Sequence, residues 1–252
     1  MFVRYDGQAN KPDSCNTSSP KSNQIHPNLL MRSTLFFPEK DPIFILTLLM
    51  GSLTGFLLNA QEIEKLKNTI ASHSSFVENL GQFNNSISYQ IKLSQGEAGF
   101  YKNGFSFSFL DSTKTFNKID FKLNHTNTIS SVIGIDQIER KNNYFIDNKS
   151  FPKARNYNKL NYNEIYNNID WVFYTTPKGE LEYDFIVHPK GIVDEIEMQI
   201  EGLKSYYVDQ DGYLIMNSEV GDLKKGKPYS YQIINGQKKE IESKFIIENN
   251  AL

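Results

Sequence analysis

Cysteine is nearly absent: Cys15 is the only one in 252 residues. No disulfide can close within the chain, and zinc or redox sites built on paired cysteines have no ligand set. Within residues 61–252 the histidines, His73, His125 and His188, are scattered, without the His-x-His or His-x3-His spacing a metal would use. The Gly-x-Ser-x-Gly elbow is missing, as are Gly-x4-Gly-Lys-(Ser/Thr) and Gly-x-Gly-x2-Gly, so acyl-transfer and nucleotide chemistry lose their usual signatures. Charge of one sign is lacking too: 27 Lys+Arg stand against 29 Asp+Glu, a net charge of -2. Nucleic acid would require a basic face able to displace counterions from phosphates, and it is not an expected partner. No block recurs at a fixed period within residues 61–252, which excludes a propeller or solenoid. The sequence therefore assigns no catalytic residue, cofactor or metal ligand, and the expected protein is not an enzyme.

The chain does have aromatic and β-branched residues in short runs, which favour pleated, half-buried strands. It also has one uncharged apolar stretch, Ile43 to Leu58, with Arg32 and Lys40 before it and Ala60 just after. At about 16 residues it falls short of the ~20 needed to span a bilayer as a helix, and it follows the plan of a signal peptide cleaved after Ala60. An uncleaved membrane anchor is the alternative. A signal peptide places the protein outside the cell or on its surface, with membrane contact only during export. Initiation at Met31 would give the leader an ordinary short basic start. The expected organisation is a disordered or mis-annotated start at 1–30, a signal peptide at 31–60, a short amphipathic helical leader at 61–74 carrying Ile63, Leu66 and Ile70, and a β-rich domain over 75–252.

From Ser75 onward, alternating runs broken by Gly, Asn and Asp read as successive antiparallel strands. They are expected at 87–93, 98–102, 105–110, 118–123, 130–135, 143–146, 169–175, 181–187, 196–201, 205–208, 214–217, 229–234 and 240–247. Asp209-Gln210-Asp211-Gly212 and Ile234-Asn235-Gly236-Gln237 supply the Gly that tight hairpins need. Turn spacing and the absence of crossover helices predict an all-β antiparallel sandwich-like domain, with Lys149 to Asn163 as the joint if there are two lobes.

Phe76-Val77-Glu78-Asn79-Leu80-Gly81-Gln82 resembles the opening of an uncharacterised bacterial domain that precedes SBBP (β-propeller type) repeats in large surface proteins. In the same order follow Asn143-Tyr144-Phe145-Ile146, Tyr166 to Tyr174, Gly179 to Phe185, and Pro228-Tyr229-Ser230-Tyr231-Gln232. The resemblance implies a secreted, often type IX exported, adhesin-like or scaffold polypeptide, with downstream repeats, surface glycans or other surface proteins as partners. It implies structural roles for Glu78, Asn79, Gly81, Gln82, Asp170, Tyr183, Asp184 and Gln232. The chain departs from the pattern at Lys190, and it stops at Leu252 where the family continues, so truncation is expected.

Three residue sets could still carry chemistry. Glu180, Glu182 and Asp184 recur at period two, hence on one strand face, where a glycosidase pair or a solvated face would both fit. Asp209 to Gly212 resembles the start of a calcium loop but lacks the closing Glu, Val220 standing in its place, so a hairpin turn is expected. Tyr162, Tyr166, Trp171, Tyr174, Tyr206 and Tyr207 could form either a sugar-stacking platform or core. Of these, Trp171, Tyr174, Tyr206 and Tyr207 are the candidate ligand contacts of a carbohydrate-binding module, the alternative to a non-catalytic structural or interaction module. A carboxylate-based glycosidase ranks third.

Overall fold

The computed structural model describes residues 2–4, 29–36, 74–94, 96–110, 116–219 and 221–247. Eighteen strands are named here in chain order. Two precede the main body, β1 (Phe2–Arg4) and β2 (Leu29–Phe36). Next come β3 (Phe76–Glu78), β4 (Tyr89–Leu93), β5 (Gly96–Tyr101), β6 (Gly104–Leu110) and β7 (Phe116–Leu123). The middle holds β8 (Val132–Ile146), β9 (Lys149–Tyr166), β10 (Ile169–Thr175) and β11 (Leu181–Val187). The last part holds β12 (Met198–Glu201), β13 (Ser205–Val208), β14 (Leu214–Ser218), β15 (Gly221–Lys225), β16 (Tyr229–Ile234), β17 (Gln237–Ile241) and β18 (Lys244–Ile246). The protein is thus all-β, and every strand pair among the described residues is antiparallel. No helix among these residues is long and apolar enough to cross a membrane.

Strand formation follows the period-two pattern of apolar residues. In β10, Ile169, Trp171 and Phe173 are buried while Asp170, Val172 and Tyr174 are only partly covered. The same alternation runs through β12 and β14. Sixteen strands join into one sheet whose main path is β12-β7-β6-β5-β4-β3-β9-β10-β11-β2-β15-β14-β13. The strands β8, β16 and β17 attach beside it, and β1 pairs with β18 alone.

The sheet does not lie flat. Six steps of about 4.8 Å would set β6 roughly 29 Å from β11, yet the rings of Phe105 on β6 and Tyr183 on β11 are 6.4 Å apart. Phe105 also meets Phe173 at 5.2 Å, and Phe100 meets Phe173 at 4.9 Å. The sheet therefore curls back on itself around an aromatic core of Phe76, Phe100, Phe105, Phe121, Trp171 and Phe173. Rings burying 150–250 Å² each, in stacked and edge-to-face pairs, make this the main source of stability.

The segment expected as a joint is instead the longest strand, β9, hydrogen-bonded to β8, β10 and β3. Its Asn and Lys content and Pro152 argue against a strand. Burial at Ala154, Asn156, Leu160 and Tyr162 overrides that composition, and irregular residues such as Glu164, with positive φ, absorb the misfit. The runs expected at 130–135 and 143–146 are one strand, β8, with register shifts along it. The strands β3 and β15 were not expected at all.

At the start of the chain, Phe2–Arg4 and Leu29–Phe36 are strands. The expected cleavage site at Ala60, the apolar run 43–58 and the helix carrying Ile63 to Ile70 lie outside the described residues.

Candidate functional site

The family-like motif begins on β3, whose three residues are all buried. Directly after it the chain turns, and the turn bonds to itself. The Asn79 Oδ1 accepts the N–H groups of Gly81 (2.9 Å) and Phe83 (3.1 Å). Its Nδ2 donates to the carbonyls of Asn84 (3.0 Å) and Ile87 (2.7 Å). The Gln82 Oε1 accepts from the Leu80 N–H at 2.6 Å, and its Nε2 donates to the Glu78 carbonyl at 2.7 Å. Gly81 sits at φ +110°, and a Cβ there would lie 3.0 Å from the Phe151 ring. Only glycine holds such a backbone without strain.

Glu78 ties this turn to β9. Its carboxylate accepts the Arg155 backbone N–H at 2.6 Å, and the Arg155 Nε and Nη2 each reach it at 2.7 Å. Burial pushes the Glu78 carboxyl up, but the Arg155 hydrogen bonds and charge outweigh it and hold the group below the usual carboxylate range. Beside it, the Asn156 Oδ1 accepts from Ser75 Oγ at 2.9 Å, while the Asn156 Nδ2 donates to the carbonyls of Arg140 and Ala154. An open groove of about 490 Å³ lies against the turn, lined by Glu78, Asn79, Gly81, Ile87, Tyr89 and Val132 among others. Glu78 is the one acid in its lining, and it is already ion-paired. The groove thus lacks the carboxylate pair that glycoside hydrolysis requires.

The other family-like residues also serve structure. The Asp170 Oδ1 accepts the Glu164 N–H at 2.7 Å and its Oδ2 meets His188 Nε2 at 2.8 Å, fixing the bulged end of β9. Asp184 is buried and accepts from the Tyr174 hydroxyl at 3.0 Å, while Glu180 and Glu182 stay partly exposed. Glu182 and Asp184 share a face of β11, which Glu180 precedes, and that face is covered at Asp184 rather than solvated throughout. Tyr183 points into the core, and Gln232 is half-buried on β16.

Three of the aromatic candidates, Trp171, Tyr162 and Tyr166, are core residues. Trp171 is fully buried, stacked on Phe185 at 5.4 Å and 6°, and its Nε1 finds no partner among the described residues. A sugar ring could reach it only by opening the core. Tyr162 and Tyr166 are buried as well, with hydroxyls donating to the Tyr101 and Asn124 carbonyls at 2.8 Å each, and burial raises both phenols well above their ordinary range. Tyr206 and Tyr207 are neighbours on β13 and so face opposite ways; Tyr207 is 51% exposed while Tyr206 packs against the core.

The Asp209 segment is the hairpin turn between β13 and β14. The Asp209 Oδ1 accepts the N–H groups of Asp211 and Tyr213, and its Oδ2 faces Lys224 at 3.7 Å, so turn and cation engage its oxygens. Among the described residues no group of three or more His, Cys, Asp or Glu is arranged to hold a metal ion.

One residue escaped notice in the sequence. Lys225, within the basic-looking run Lys224-Lys225-Gly226-Lys227, is 1% exposed. Its Nζ hydrogen-bonds to the Tyr183 hydroxyl and lies 4.3 Å from the Tyr183 ring centroid and 5.6 Å from that of Phe245. Burial alone lowers its pKa to about 7. The available signal was strand parity with Leu223, since alternate residues of a strand share a face.

In comparison with known proteins, a family model described as a domain of unknown function (DUF7948) matches residues 76–252. No curated protein and no solved structure matches the chain.

Proposed function

From the premise that the chain belongs to the DUF7948 family, we propose that it is a non-catalytic structural or interaction module of a secreted or cell-surface protein. The observation that carries this reading is the self-satisfied motif. The polar side chains of Glu78, Asn79 and Gln82 spend their hydrogen-bonding groups on the chain's own backbone and on Arg155. A catalytic or ligand-binding motif would instead aim such groups at a vacant position. Here their role is to lock the start of the domain to its longest strand. The curled sheet with its aromatic centre suits a sandwich-like spacer. An exported chain of this kind would stand ahead of repeats, as the apolar run 43–58 and the resemblance to surface proteins suggest.

The test is a glycan array and a panel of chromogenic glycosides, both applied to the purified chain after one cooperative unfolding transition has been verified. Neither binding nor turnover is expected. Saturable sugar binding lost in Tyr207→Ala would replace this reading with a carbohydrate-binding module. Turnover lost in Glu182→Gln would replace it with a carboxylate-based enzyme.

A further inference from the structure

The placement of β2 is unusual in its connectivity. It is hydrogen-bonded on one side to β11, through six register pairs from Glu182↔Thr34 to Val187↔Leu29. On its other side it pairs with β16 over Leu29 to Arg32 and with β15 at Leu35 and Phe36. None of these three partners is its neighbour in sequence, and the nearest described strand after it, β3, does not touch it in the sheet. The walls of the position are built by residues 181–187 and 221–234, and the filling strand arrives from far upstream. Remove β2 and the sheet separates between β11 and the group β13 to β17. The backbone N–H and C=O groups on the β2 side of β11 would then stand unpaired, while its ladder with β10 remained, beside the buried side chains of Leu181, Tyr183, Phe185 and Val187.

We propose that the channel between β11 and β16 is a strand-acceptor site, which binds an extended antiparallel polypeptide segment with the pattern of residues 29–36, supplied in trans by another chain. The proposal rests on the interaction-module reading and names the chemistry of the partner. Backbone ladders on both sides supply affinity without regard to sequence, and the side-chain register supplies selectivity. Leu29, Met31, Ser33 and Leu35 stand at register positions opposite Val187, Phe185, Tyr183 and Lys225, all buried, so that parity favours apolar and small residues. Arg32 stands opposite buried Asp184 on one side and Tyr229 on the other, which favours a cation there. Removal of the segment ahead of Ala60 on export would free the same channel for a partner.

The experiment uses the full chain with a specific protease site placed within residues 43–58. The cut protein is mixed with excess fluorescent peptide of residues 29–36, and uptake is followed by gel filtration and anisotropy. The expected result is label rising to one peptide per chain in the cut protein, none in the uncut protein, and at least tenfold weaker uptake of a peptide carrying Arg32→Glu. Equal uptake of a scrambled peptide, failure to exchange, or loss of the sheet's circular dichroism on cutting would each overturn the proposal. Glycan binding or glycoside turnover, read separately, would overturn the module reading without altering this result.

Discussion

At the scale of single residues, two buried charges behave in opposite ways. Glu78 has a folded-state pKa below its unfolded value, so it contributes stability that is present above the ordinary carboxylate range and lost as pH falls through the folded value. Glu78→Gln is expected to cost about 1–3 kcal/mol at pH 7. Urea midpoints measured from pH 7 down to pH 3 should fall more steeply for the parent chain than for the variant. Lys225 runs the other way. Its folded value of about 7 lies below the ~10.4 of an unfolded lysine, so between those limits the unfolded chain carries one more proton than the folded one. Stability should therefore rise as pH climbs from 7 toward 10. It should be lowest below 7, where an ammonium must be buried beside Tyr183 and Phe245. Lys225→Met should stabilise the chain by roughly 1–3 kcal/mol at pH 6 and flatten that rise, as chemical denaturation at pH 6, 8 and 10 would report.

At the scale of elements, β9 is central although its composition is that of a loop. Its residues 156–162 carry ladders on both sides, whereas among the described strands β8 pairs with β9 alone and is mostly exposed. The register shifts of β8 and its exposed Glu139, Arg140 and Lys141 keep that edge from templating further strands. Amide hydrogen exchange should accordingly show Asn156 to Tyr162 among the slowest positions. Phe145 to Ser150 at the hairpin tip should be among the fastest. Comparable exchange rates in the two segments would mean that β9 is not the spine of the fold.

At the scale of the whole molecule, much of the architecture was legible. Strands at 169–175, 181–187, 205–208 and 229–234 appear at their expected limits, because each is an aromatic or β-branched run bounded by polar, Gly or Pro residues that interrupt the ladder. The Asn235-Gly236 turn is present with both residues at positive φ, as its sequence requires. The motif residues were legible as a set, although not as a mutually bonded turn, since the bond from Glu78 to Arg155 spans 77 positions. What composition hid was β9, where burial against distant strands overrides local preference, and Lys225, whose neighbours disguise it as part of a solvated run. Trp171 could have served core or ligand by sequence, and only the ring at Phe185 decides between them.

The antiparallel sense of β2 against β16 has a mechanical consequence. Leu29 at the start of β2 lies opposite Gln232 near the end of β16, so the chain leading into one strand and the chain leading out of the other leave from the same end of the ladder. A pull applied through those two ends loads the hydrogen bonds one after another, as in opening a zip, rather than shearing them together. Under tension applied between those two ends, this junction would yield at low force and ahead of the aromatic centre.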